Sequence, residues 1–147
     1  MLIGEHLHTL DPKNRVSLPA KFRKEMGKTV VMAPGIDSCL FVFTLKGWKE
    51  FADRLSRPDS SSVLQADNRN FNRILIGRAT EVDVDSIGRI LIPDHLCTHA
   101  SLKSHVAIIG VLNRVEVWDE KKWVAYRSEV EKKTEALAEK MGSAGII

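Results

Sequence analysis

Two cysteines are all that this 147-residue sequence contains, and neither has a partner at useful spacing. Cys39 and Cys97 each stand inside an apolar segment, without the pairing of a zinc ribbon or a C-x-x-C redox site, so both read as small core residues in a reducing compartment. No apolar run approaches the roughly 20 residues that span a bilayer. The start, Met1-Leu2-Ile3-Gly4-Glu5-His6, has no basic segment leading into a long apolar one. These absences predict a cytoplasmic protein with no membrane partner.

Catalytic patterns are missing as well. Gly35 and Gly110 lack the Gly-Lys-Ser or strand-to-helix glycine context of a nucleotide cradle, and read as turn glycines. His95 and His99 are four apart on a predicted helix, a spacing that suits two metal ligands, but no third ligand accompanies them. His6 and His8 fall on one strand face and read as ordinary surface histidines. The sequence therefore predicts no enzyme, no metal and no cofactor.

A net charge of +3 and a pI near 9 are compatible with contact to phosphate without demanding it. The informative feature is internal repetition. Asp11-Pro-Lys-Asn-Arg15-Val-Ser-Leu-Pro19 aligns with Asp85-Ser-Ile-Gly-Arg89-Ile-Leu-Ile-Pro93. Further on, Val30-Val-Met-Ala33 aligns with Val106-Ala-Ile-Ile109, Cys39–Phe43 with Val115–Trp118, and Trp48 and Phe51 with Trp123 and Tyr126.

Each copy reads as strand, tight turn, strand, short helix, strand, turn, strand and longer helix. Strands are expected over 5–10 and 79–84, each ending at an Asp able to bond the backbone N–H groups of the following turn. Asn14 and Gly88 take the same place in the two turns and suit positive φ. Pro19 and Pro93 close the return strands and open short helices at about 19–26 and 93–100. Pro34-Gly35 and Gly110 punctuate a second hairpin in each copy, so that two copies could close into one barrel.

Between the copies, Trp48, Phe51 and Leu55 share a helical face, Arg57–Ser62 reads as a loop, and a helix is expected over about 63–74. The tail from Asp119 to Met141 carries Trp123, Tyr126, Val130, Leu137 and Met141 on a narrow stripe and predicts one helix, packed on its own barrel or on another subunit. The organisation is thus a first repeat at 5–47, a helical linker at 48–78, a second repeat at 79–122, and a C-terminal helix with a frayed end at 123–147.

The arginine of each Asp-x-x-x-Arg turn is the sharpest candidate for chemistry. A guanidinium at the mouth of a turn can reach guanine O6 and N7 together, or grip a phosphate. It can equally pair with the turn's own aspartate, Asp11 with Arg15 and Asp85 with Arg89, and only tie the turn. Flanking charge separates the copies: Lys13, Lys21, Arg23 and Lys24 surround the first, whereas Glu81, Asp83 and Asp94 surround the second. This predicts that Arg15 reads a base edge while Lys13, Lys21 and Arg23 neutralise phosphates, with Arg89 a weaker or structural contact. Arg69, Arg73 and Arg78, interleaved with Asn68, Asn70 and Asn72, read as a solvated helix face.

These two turns, the two prolines, Cys39-Leu40 and Glu116-Val-Trp118-Asp119 together resemble the MraZ family over nearly the whole chain. The resemblance implies an α+β fold in which two AbrB-like swapped-hairpin repeats form a β-barrel with flanking short helices. It implies ring-shaped homo-oligomers of about eight or more subunits. It also implies sequence-specific binding of double-stranded DNA, at direct repeats in the protein's own promoter, by a repressor of the division and cell-wall gene cluster associated with the nucleoid. The signature positions carried over are Asp11, Arg15, Asp85 and Arg89, which the resemblance places on the DNA-contacting surface. Lys13-Asn14-Arg15 departs from the family's usual Lys-Gly-Arg, and an Asn side chain holds DNA further off than glycine does. The competing expectation is a non-enzymatic assembly module that binds proteins.

Overall fold

Strict alternation along the strands sends side chains into two separate apolar clusters. In β3 (Thr29–Pro34) and β4 (Leu40–Thr44), Val30, Met32, Leu40 and Val42 join the larger cluster, while Phe41 and Phe43 join the smaller. In β7 (His105–Val111) and β8 (Val115–Asp119), Val106, Ile108, Val115 and Val117 face the first, and Ala107, Ile109 and Trp118 face the second. The computed structural model describes residues 1–56 and 64–147; the predicted loop at Arg57–Ser62 and the predicted helix start at residue 63 lie outside them.

The remaining elements are β1 (Ile3–Thr9), β2 (Arg15–Ser17), α1 (Ala20–Met26), α2 (Leu45–Leu55), α3 (Ala66–Leu75), β5 (Thr80–Asp83), β6 (Arg89–Leu91), α4 (Asp94–His99), α5 (Glu120–Glu131) and α6 (Thr134–Ser143). Six strands form one antiparallel sheet in the order β1-β7-β8-β4-β3-β5, and β2 pairs with β6 in a separate two-stranded ribbon. The fold is α+β.

The expected closed barrel is not formed. The large sheet ends in two edges, β1 and β5, and the ribbon is not hydrogen-bonded into it. Of the two hairpins expected per copy, only one is present among the described residues, β3-β4 in the first half and β7-β8 in the second. After the Asp-x-x-x-Arg turn, β1 and β2 part company. Strand β1 pairs with β7, β5 pairs with β3, and β2 and β6 pair with each other, so each half lends strands to the other. Long-range pairing has overridden the local hairpin suggested by the turn chemistry.

Helices α2 and α5 cover the face carrying the aromatic cluster. Thr44 caps α2 by accepting from Gly47 N–H, and Asp119 caps α5 by accepting from Lys122 N–H. Phe51 stacks on Phe43 at 4.9 Å with Trp48 at 5.5 Å, and Trp123 and Tyr126 lie 5.3 and 4.9 Å from Trp118. Residues aligned by sequence thus play matching parts in the two halves. The tail is two helices rather than one, interrupted at Lys132-Lys133, and Leu137 and Met141 on α6 stay exposed. Gly110, expected in a turn, lies inside β7, where a Cβ would come within 2.6 Å of the backbone of Leu2 and Ile3. Its lack of a side chain lets β1 approach.

Candidate nucleic-acid interface

The ribbon places the two signature arginines. Val16 and Ile90 face each other across it and are buried, so the alternate positions Arg15, Ser17, Arg89 and Leu91 share the opposite face. Arg15 is paired across from Leu91 and Arg89 from Ser17. The two arginines are diagonal neighbours, with backbones about 7–8 Å apart.

Each turn is locked by its aspartate in the same way. Asp11 Oδ1 accepts from the backbone N–H groups of Lys13 and Arg15, both at 2.9 Å, and Asp11 Oδ2 accepts from Arg15 Nε at 2.8 Å. Asp85 Oδ1 accepts from Ile87 N–H at 3.1 Å and Arg89 N–H at 2.8 Å, and its Oδ2 from Arg89 Nε at 2.8 Å. These bonds, foremost those from the Arg15 and Arg89 backbone N–H groups, hold both carboxyls below the ordinary aspartate range. As expected, Asn14 and Gly88 take positive φ, 61° and 85°.

The aspartate engages only the Nε edge of each guanidinium. Among the described residues, no protein group bonds the terminal Nη atoms of Arg15 or Arg89, and both side chains are about one-third exposed. Tying the turn thus leaves each arginine two amino groups with no bonded partner among the described residues.

The flanking charges are distributed differently from their order in sequence. Because β2 and β6 run antiparallel, the first turn meets the start of α4, and the second meets α1. Asn14 Nδ2 donates to Asp94 Oδ1 at 2.9 Å, and Ile92 N–H donates to Asn14 O. Leu18 N–H donates to Gly88 O, and Arg23 packs over Gly88. The acidic residue counted with the second copy thus stands at the first turn, and a basic residue counted with the first stands at the second. Lys13 and Lys21 are exposed, and Asp83 is bonded to Thr29 of β3.

The other candidates do not converge. His95 bonds Arg78 O and His99 bonds Gly35 O, so the pair is split between two carbonyls. His6 and His8 are half-buried rather than surface residues, and His6 packs edge-on against Phe22 at 5.1 Å. Burial is the main reason that His8 is held below its ordinary value. Both cysteines are free thiols; Cys39 is buried and Cys97 is half-buried. On α3, Arg73 bonds Asn70 and Asn68 bonds Gln65, consistent with a self-satisfied polar face. A cleft of about 800 Å³ between the Ser101–His105 segment and the start of α5 is lined by no residue of either turn.

A family profile described as "MraZ protein, putative antitoxin-like" matches residues 1–73 and 75–143. The chain belongs to the MraZ family. Its relatives include the transcriptional regulator MraZ of Moorella thermoacetica, 43% identical over 96% of both chains. The transcriptional regulator MraZ of Acetivibrio thermocellus is 42% identical over 99% of this chain and 100% of the relative. That of Caldanaerobacter subterraneus subsp. tengcongensis is 40% identical over the same shares.

Sequence reading missed Leu91 and Ser17, which share the arginines' face, and Asp94 as the partner of Asn14. Alternation about the buried Val16 and Ile90 carries the signal for the first two. Nothing local signals the third.

Proposed function

We propose that the chain is a sequence-specific regulator of transcription that inserts the β2-β6 ribbon into the major groove of duplex DNA. The observation that carries this reading is the placement of Arg15 and Arg89 on the exposed face of a two-stranded ribbon, each with its outer amino groups unengaged. The major groove is about 12 Å wide and admits such a ribbon, and a guanidinium can donate two bonds to guanine O6 and N7. Lys13, Lys21 and Arg23 supply phosphate contacts that set the register. Asp11 and Asp85, on the same DNA-contacting surface, orient the arginines. The regulators of transcription among the relatives support the same conclusion, and no catalytic or cofactor role is assigned.

The exchange of strands between the halves is read as the swapped-hairpin architecture of two repeats, 5–47 and 79–122, joined through residues 48–78. Function in the cytoplasm at the nucleoid, repression through direct repeats in the promoter of the division and cell-wall cluster, and assembly as a ring belong to this reading. A ring presents many ribbons to repeated boxes and gains by avidity. Ile3 and Leu7 on the edge strand β1, with Leu137 and Met141 on α6, are exposed apolar side chains available to a subunit contact. These same residues favour the second reading, an assembly module that binds proteins.

Mobility shift with the duplex upstream of its own gene tests the first reading. A retarded band that survives unrelated competitor, and weakens steeply with salt, is expected. Failure to shift that duplex at low salt, with a large oligomer retained on sizing, would favour the assembly module instead.

A further inference from the structure

The two turns share their geometry but differ in what the opposite half places on them. At Gly88, a Cβ would stand 2.3 Å from Arg23 Nε, 2.5 Å from Cζ and 2.8 Å from Cδ. The space a side chain would need is filled by a guanidinium from α1. Arg23 is anchored there because its Nε donates to Leu18 O at 3.0 Å, while Leu18 N–H donates to Gly88 O at 2.9 Å. Among the described residues its Nη atoms have no hydrogen-bond partner. The next residue of the turn is Arg89, whose single carboxylate partner, Asp85, takes its Nε edge.

The first turn has an anion in the corresponding place. Asn14 bonds Asp94, so a carboxylate of α4 joins Asp11 at the turn that carries Lys13 and Arg15. At the second turn Arg23 packs on Gly88, next in the chain to Arg89, and Asp85 takes only the Nε edge of Arg89. Phosphate is attracted by guanidiniums, and the two offer it up to four unengaged amino groups.

We propose that Arg23 and Arg89, brought together from the two halves of the chain over Gly88, form a clamp for a DNA phosphate that makes the second turn the stronger backbone contact. The clamp rests on the DNA-binding reading above. It reverses the ranking suggested by flanking sequence, in which the second turn was the weaker. Gly88 is then required for more than its positive φ, since it also leaves room for Arg23.

The test is the slope of log affinity against log salt for the full chain with the duplex upstream of its own gene. Arg23→Gln removes the charge. Gly88→Asn keeps a residue that tolerates positive φ, as Asn14 does, and evicts only the flexible end of Arg23. Each change should weaken binding about five- to tenfold at 0.1 M salt and make the slope shallower by about one, the loss of one phosphate contact. Arg23→Lys should recover most of the slope. Gly88→Asn added to Arg23→Gln should change nothing further. Melting temperatures check folding, and if Gly88→Asn is unstable the Arg23 pair carries the test. Unchanged affinity and slope in Arg23→Gln would overturn the clamp, as would weaker binding at an unchanged slope, which marks a structural role. A wild-type protein that fails to bind the duplex overturns the DNA-binding reading and the clamp with it.

Discussion

Asn14 Nδ2 donates a 2.9 Å hydrogen bond to Asp94 Oδ1, joining a turn in the first half of the chain to the first helical residue of α4 in the second. The contact is doubled by Ile92 N–H, which donates to Asn14 O at 2.8 Å. Position 14 therefore has two duties. It must hold φ at 61°, and it must reach across the ribbon end.

The two duties can be separated by substitution. Asn14→Gly keeps the backbone freedom and loses only an exposed side-chain bond. Asn14→Ala loses the bond and also strains a left-handed backbone, at a cost of about 1–2 kcal/mol. Urea midpoints should therefore fall in the order wild type, Asn14→Gly, Asn14→Ala. Equal midpoints for the two variants would mean that the positive φ costs nothing there.

Acid should loosen both turns together. Asp11 and Asp85 are held below their ordinary value of 3.8, mainly by the backbone N–H groups of Arg15 and Arg89. A carboxyl whose folded value is depressed takes up its proton more readily in the unfolded chain. The stability it contributes is complete above the unfolded value and is lost as pH falls through the lower folded value. Urea midpoints of the wild type should decline as pH falls below the ordinary aspartate value of 3.8, and the Asp11→Asn, Asp85→Asn double variant should start lower at neutral pH and decline less. Parallel curves would show that other carboxylates dominate.

The local chemistry of the turns was legible in the sequence because it is carried within five residues. Asp, a residue fit for positive φ, and Arg define the turn whatever surrounds it. The aromatic matching of Trp48 and Phe51 with Trp123 and Tyr126 was legible for a similar reason, since each pair sits on the helix that follows its own strand. Pairing between halves was not. A turn of this kind ordinarily implies that its two flanking strands pair, yet β2 finds Ile90 and Leu91 far along the chain rather than β1. The charge argument failed to transfer for the same reason: strand exchange carried Asp94 to the first turn and Arg23 to the second. The break at Lys132-Lys133 was hidden because the apolar stripe continues across it.

Arginine rather than positive charge alone is what the ribbon geometry calls for. Its Nε edge serves the aspartate and its Nη groups remain for a ligand, which a lysine ammonium cannot reproduce. Arg15→Lys should keep non-specific affinity at low salt but lose about 1–3 kcal/mol of discrimination between the cognate duplex and an unrelated one. Competition binding measures this directly. Retained discrimination in Arg15→Lys would show that sequence is read elsewhere.

Gly110 tests the edge of the large sheet. It is paired with Gly4 in the β1-β7 register, and a Cβ on it would stand 2.6 Å from Ile3 N and from the carbonyl carbon of Leu2. Those are backbone atoms, so no rotamer change relieves the clash and β1 itself must shift. Leu2 belongs to the main core and Ile3 begins the edge strand, so the shift is felt in both. Gly110→Ala should destabilise the protein by about 1–3 kcal/mol, the usual cost of overpacking. Hydrogen exchange should locate the damage in β1 and the end of β7 while the β3-β4 hairpin keeps its protection. Uniform loss of protection across the sheet would instead show that β1 unfolds only with the whole.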